Sequence, residues 1–112
     1  MKYTTINCYK NGRDYRSKID FEKIDDARAY AIKSLKKNRY VQDVMIMRYS
    51  GERRKDGSLI DKTPIGYVTR SWKSNGERVW MYVVWNGQKN NSLIINKKVQ
   101  LKNINVSMEN GK

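Results

Sequence analysis

Among its 112 residues the chain has no histidine, one cysteine (Cys8), one proline (Pro64) and one phenylalanine (Phe21). The first two scarcities each remove a class of chemistry. Without histidine, the commonest general base and the His-containing zinc sets are unavailable. A single cysteine closes no internal disulfide, and within an alternating stretch Cys8 reads as a small buried apolar residue rather than a nucleophile. No apolar run approaches the length of a bilayer span, and Met1-Lys2-Tyr3-Thr4-Thr5-Ile6 lacks the apolar segment of a secretory leader. We therefore expect a cytoplasmic protein with no metal, no small-molecule cofactor and no membrane partner.

Catalytic signatures are missing as well. Gly51, Gly57, Gly66, Gly76 and Gly87 are scattered through turns and strands and form no phosphate loop. Asp43, Asp56, Asp61 and Glu77 show no spacing typical of a metal-dependent nuclease, and Asp56 is explained by a turn with Gly57. The expectation is a protein that is not an enzyme.

Negative charge is the last scarcity: 11 Asp plus Glu face 24 Lys plus Arg, a formal net charge of +13. Such a potential attracts polyanions through counterion release and steers their approach. Nucleic acid, RNA or DNA, or a nucleoprotein complex is the partner class it favours. The wealth of Lys, Asn, Ile and Tyr matches AT-rich coding, as in a phage or mobile element.

What is present reads as a small α+β domain over residues 1–108, with 109–112 as a frayed end. Tyr3 to Tyr9 alternates, and alternation resumes at Tyr15, Ser17, Ile19 and Phe21; Asn11-Gly12 between them suits a two-residue type I′ turn. "IDDARAYAIKSLKKN", Ile24 to Asn38, changes to helical period. Asp25 is the expected N-cap, Lys36 and Lys37 fill the last turn, and Asn38 ends it. Ile24, Ala27, Ala31 and Leu35 share the buried face, while Ala29, Lys33, Lys36 and Lys37 point away. Val41 to Tyr49, apolar on both faces at "VMIM", reads as a central strand. Ile65 to Trp72 and Arg78 to Trp85 follow as strands, with an Asn86-Gly87 turn and short β-prone pieces, Leu93 to Ile95 and Val99 to Val106, separated by Lys97 and Lys98. The predicted order is ββαβββ with one or two weak strands after it, one helix covering one face of an antiparallel sheet. The short hairpin, "DDARAYAIKSL" and the "VMIMRY" strand together resemble small proteins of phages and integrative elements.

Three surfaces are candidate binding sites. A two-residue Asn75-Gly76 turn would pair Trp72 with Val79, Arg70 with Met81, Val68 with Val83 and Gly66 with Trp85. The other face would then carry Tyr67, Thr69, Ser71 and Lys73 with Val84, Tyr82, Trp80 and Arg78, a mixture of rings and cations like that of single-strand platforms. The second surface is the loop Ser50 to Pro64, in which Arg53, Arg54, Lys55 and Lys62 could follow phosphates. The third is the helix face of Lys33, Lys36 and Lys37. The leading reading is a non-enzymatic nucleic-acid-binding protein. An anti-CRISPR-like counter-defence inhibitor that grips a nucleoprotein effector or its guide RNA is the alternative. A ribonuclease toxin resembling the RelE group, which cleaves RNA with Lys, Arg and Tyr, is the third, although those toxins place helices directly after the first strand.

Overall fold

The computed structural model describes residues 1–85 and 95–100. Its elements run β1 (Lys2–Tyr9), β2 (Asp14–Phe21), α1 (Ile24–Lys37), β3 (Val41–Tyr49), β4 (Thr63–Trp72), β5 (Arg78–Trp85) and β6 (Ile95–Gln100). Every pairing is antiparallel and the strand order is β2-β1-β3-β4-β5-β6. The fold is α+β, one helix on an antiparallel sheet. β6 runs through Lys97 and Lys98, where the sequence suggested a break, its backbone paired along β5. The expected Asn86-Gly87 turn, Leu93-Ile94, Leu101 to Val106 and the end 109–112 lie outside the described residues.

Helix α1 packs on β3, β1 and β4, with Ala27, Ala31, Ile32 and Leu35 against Val44, Ile46 and Val68. Alanines at two of these positions let the helix axis lie close to the sheet. Two local expectations need correction. The N-cap is Lys23, without a side-chain bond, so Asp25 and Asp26 both sit in the first turn, where the helix dipole favours carboxylates. Ala29 is buried rather than outward, since a helix laid across a twisted sheet is covered over a wider arc than a narrow stripe. At the other end Arg70 closes the helix. Its guanidinium donates to the carbonyls of Leu35 (2.6 Å), Asn38 (3.1 Å) and Val41 (2.6 Å), groups that α1 leaves without intrahelical donors or that lie just beyond it. Burial, and then the neighbouring charge of Arg78, lower the Arg70 pKa from its ordinary value.

Three turns share one geometry. In Tyr9–Arg13, Arg54–Ser58 and Lys73–Glu77 the first residue's N–H donates to the carbonyl of the fifth, and the glycine N–H donates back to the first carbonyl, all at 2.8–2.9 Å. Gly12, Gly57 and Gly76 lie at φ +89°, +88° and +87°, whereas Asn11, Asp56 and Asn75 are not in the left-handed region. A type I′ turn needs positive φ at both central residues. These are therefore three-residue loops, a type I turn closed by a left-handed glycine. In each, the Asn or Asp Oδ1 accepts the N–H two residues on, from Arg13 (3.0 Å), Ser58 (2.9 Å) and Glu77 (2.9 Å). That backbone bond to Ser58 also lowers the Asp56 pKa.

The extra loop residue changes the faces. β4 and β5 pair as Gly66 with Val84, Val68 with Tyr82, Arg70 with Trp80 and Trp72 with Arg78, one step from the expected register. A one-residue slip turns every β5 side chain to the opposite side. Tyr82 and Trp80 thus share the helix side with Gly66, Val68 and Arg70, and Tyr67 stays on the far side.

Tyr82 is almost wholly buried, its ring over Gly66 and its hydroxyl donating to the Ile65 carbonyl (3.2 Å), while the Arg28 guanidinium lies 4.1 Å from the ring centroid. Gly66 leaves the space for this stack: a Cβ there would come within 2.5 Å of the Val83 carbonyl oxygen and 2.6 Å of the Tyr82 ring. Gly66→Ala should destabilise the fold by about 1–3 kcal/mol, the usual cost of overpacking. Urea denaturation measures it, and an unchanged midpoint would contradict the stack.

Candidate nucleic-acid interface

Chain reversals decide which loops meet. β1 ends, β3 begins, β4 ends and β5 begins at one end of the sheet, as the pairings Tyr9 with Val41 and Trp72 with Arg78 show. Helix α1 ends there too, held by Arg70, and the Lys10 N–H donates to the Tyr40 carbonyl at 3.1 Å. Residues 10–14, 36–40 and 72–78 form this rim, and they contain seven Lys or Arg against two acids, Asp14 and Glu77. One of those acids is already engaged, since Glu77 pairs with Lys73 at 3.4 Å. The opposite end holds the helix N-terminus and the β3–β4 loop, and there Glu22, Asp25, Asp26, Glu52, Asp56 and Asp61 interrupt the positive charge.

Aromatic rings and cations interleave on the rim. The Arg78 guanidinium lies 4.6 Å from the Trp72 ring centroid and 5.7 Å from that of Trp80, and Lys36 Nζ lies 6.0 Å from Trp80. The Arg39 guanidinium lies 5.1 Å from the Tyr40 ring and donates to its hydroxyl at 3.1 Å. Trp80 is half-buried against the core, whereas Trp72 is 57% and Tyr40 59% exposed. Each cation–ring contact is worth about 0.5–1 kcal/mol at an exposed site, enough to orient a side chain but not to require so much exposed ring.

Of the residues singled out in the sequence, the structure gathers Lys36, Lys37, Lys73, Arg78 and Trp80 here, with Lys33 one turn back on α1. It separates the rest. Tyr82 belongs to the core beneath α1, and Tyr67 lies on the other face, its pKa raised by burial and by Asp43. The expected platform of Tyr67, Trp80 and Tyr82 is therefore not one surface. Arg54, Lys55 and Lys62 are exposed at the far end of the sheet.

The loop of Ser50 to Pro64 also departs from a free basic finger. Its Arg54–Ser58 turn, the Arg53–Leu59 bridge and the bond from the Ile60 N–H to the Glu52 carbonyl make it a small hairpin. Leu59 is buried on Met47 and Tyr49 at the face away from the helix. Arg53 turns inward, donating to Asp20 (2.8 Å), the Tyr49 hydroxyl (3.3 Å) and the Ser17 carbonyl (3.4 Å).

Sequence reasoning missed Lys10, Arg13, Arg39, Tyr40 and Trp72. The signal for them was positional: in an antiparallel ββαβββ chain both Asn-Gly turns and the helix C-terminus must come to the same end.

The remaining titratable group of interest is Cys8, flanked by Asp14 on β2 and Asp43 on β3. Burial, then Asp43 and Asp14, push its thiol up to about 12, which favours the protonated thiol at neutral pH. No group of three or more His, Cys, Asp or Glu among the described residues is arranged to hold a metal ion. No helix there is long and apolar enough to cross a membrane. No family model matches this chain, and comparison with curated proteins and with solved structures returns no match either.

Two variants test these assignments. Arg53→Ala should cost about 1–3 kcal/mol of stability, because it leaves the partly buried Asp20 without its charged donor. Arg54→Ala with Lys55→Ala should stay within about 0.5 kcal/mol, as exposed changes do; equal losses in urea would return Arg53 to the surface. Asp43 carries the opposite sign. Burial raises its pKa, with Asp14 adding and the Cys8 hydrogen bond opposing. A carboxyl raised in the folded state favours folding while it is protonated and loses that contribution as pH rises through its folded pKa. Asp43→Asn should therefore be more stable than the parent at pH 7, with the gain shrinking as pH falls through the raised folded pKa and gone below about pH 4, the unfolded carboxyl value. Thermal melts across that range measure it, and a pH-independent difference would reject the linkage.

Proposed function

We propose that this protein is a non-enzymatic nucleic-acid-binding module and that the rim is its binding surface. The observation that carries the reading is the concentration of seven cations on three adjoining segments, two of them closed turns and one a capped helix end. Lysines and arginines placed together at fixed positions displace condensed counterions when they meet a chain of phosphates. Turns closed by backbone hydrogen bonds limit the ordering cost of that encounter. Arginine beside an exposed ring adds a flat, hydrogen-bonding cation suited to phosphate or a base edge.

Fluorescence anisotropy at increasing salt tests the reading. If about five rim cations meet phosphates, log K should fall against log salt with a slope of about −3.5 on a single strand or about −4.5 on duplex DNA. Lys36→Ala, Lys37→Ala and Arg78→Ala should each reduce that slope by roughly 0.7–0.9, while Arg54→Ala with Lys55→Ala leaves it nearly unchanged. Absence of binding at low salt, or equal effects at the two ends of the sheet, would reject it.

A further inference from the structure

Resting on the reading that the rim binds nucleic acid, we propose that its ligand is single-stranded, with unstacked bases seated on Trp72 and Tyr40. Both rings stand at strand ends on the rim, Trp72 closing β4 and Tyr40 immediately before β3. Both are more than half exposed, unlike Trp80, which packs against the core. Both carry an arginine: Arg78 at 4.6 Å over Trp72 and Arg39 at 5.1 Å over Tyr40. Each ring thus has a cation beside it and still leaves more than half of its surface free for a base.

That pairing of parts matches one nucleotide. The ring takes the flat face of a base, and the guanidinium beside the ring offers paired donors to a phosphate of the strand. Duplex bases have their faces covered by their neighbours and present only edges, so two open rings find no use on an intact duplex. The backbone that carries the rings is also held in place. Trp72 pairs with Arg78 across a closed turn, and the Tyr40 N–H donates to Asn38 Oδ1 (2.9 Å) while its carbonyl accepts from Lys10. Because β3 and β4 are neighbouring strands, about 4.8 Å apart, a short oligonucleotide can engage both rings.

The test compares oligothymidylate, oligouridylate and a blunt DNA duplex by anisotropy at one low salt concentration, with tryptophan quenching as a second readout. Trp72→Ala and Tyr40→Ala should each weaken single-strand binding by roughly tenfold or more, the size of one stacked base. Duplex affinity should move less than about twofold, and Trp72→Phe should keep most of the single-strand affinity, because every aromatic ring offers a π-face. Circular dichroism melts of each variant exclude unfolding as the cause. Binding to all three probes that neither alanine variant changes would overturn the stacking sites and leave the nucleic-acid reading standing. Binding to none of them would overturn that reading itself.

Discussion

The one-residue difference between a two- and a three-residue turn at Asn75-Gly76 decides most of what this protein presents to its surroundings. With three loop residues, Lys73 pairs with Glu77 and β5 turns Trp80 and Tyr82 toward α1. Tyr82 then fills the space above Gly66 and supports Arg28, while Trp80 comes within reach of Lys36 and Arg78 stands beside Trp72. One fewer residue would send Tyr82 to the opposite face and take it from the core and from Arg28 of the helix. The constraint is backbone geometry, since the pleat alternates with period two and a glycine at φ +87° closes the loop.

A strongly basic chain does not offer all its charge to a partner. Arg70 closes the end of α1, Arg28 lies over Tyr82 and Arg53 joins Asp20 to Tyr49. In each case a guanidinium supplies several donors in one plane, which a lysine ammonium does not. For Arg53, burial works against the charge, and the bonds to Asp20 and Tyr49 outweigh it, so its pKa stands above the ordinary value. These arginines spend their charge inside the fold. The lysines and arginines of the rim lie instead at the end of the helix whose carbonyls favour cations.

Charge is therefore segregated along the strands. Acids gather where α1 begins, and cations where it ends. Crowding like charges at one end raises self-repulsion, which a polyanion relieves on binding. The exposed rings of Trp72 and Tyr40 at the same end give the surface a second, non-electrostatic character.

The sequence by itself determined the elements and their order. The helical period of residues 24–38, the alternation of β1 and β5 and the turn chemistry of Asn11-Gly12 and Asn75-Gly76 are local, and local patterns carry secondary structure. It also determined the charge excess, which is a sum and needs no coordinates. Tertiary structure decided the rest. Whether Asn-Gly sits in a two- or three-residue loop depends on which face of β5 gains more by burial, and a Tyr able to fill the hollow above Gly66 settles that from the core outward. In sequence Arg53 looks like a member of a basic surface, and Arg70 stands as a lone cation on an apolar strand face. Their partners lie more than thirty positions away, at Asp20 for Arg53 and at Leu35 and Asn38 for Arg70, and only folding brings such groups within hydrogen-bonding distance.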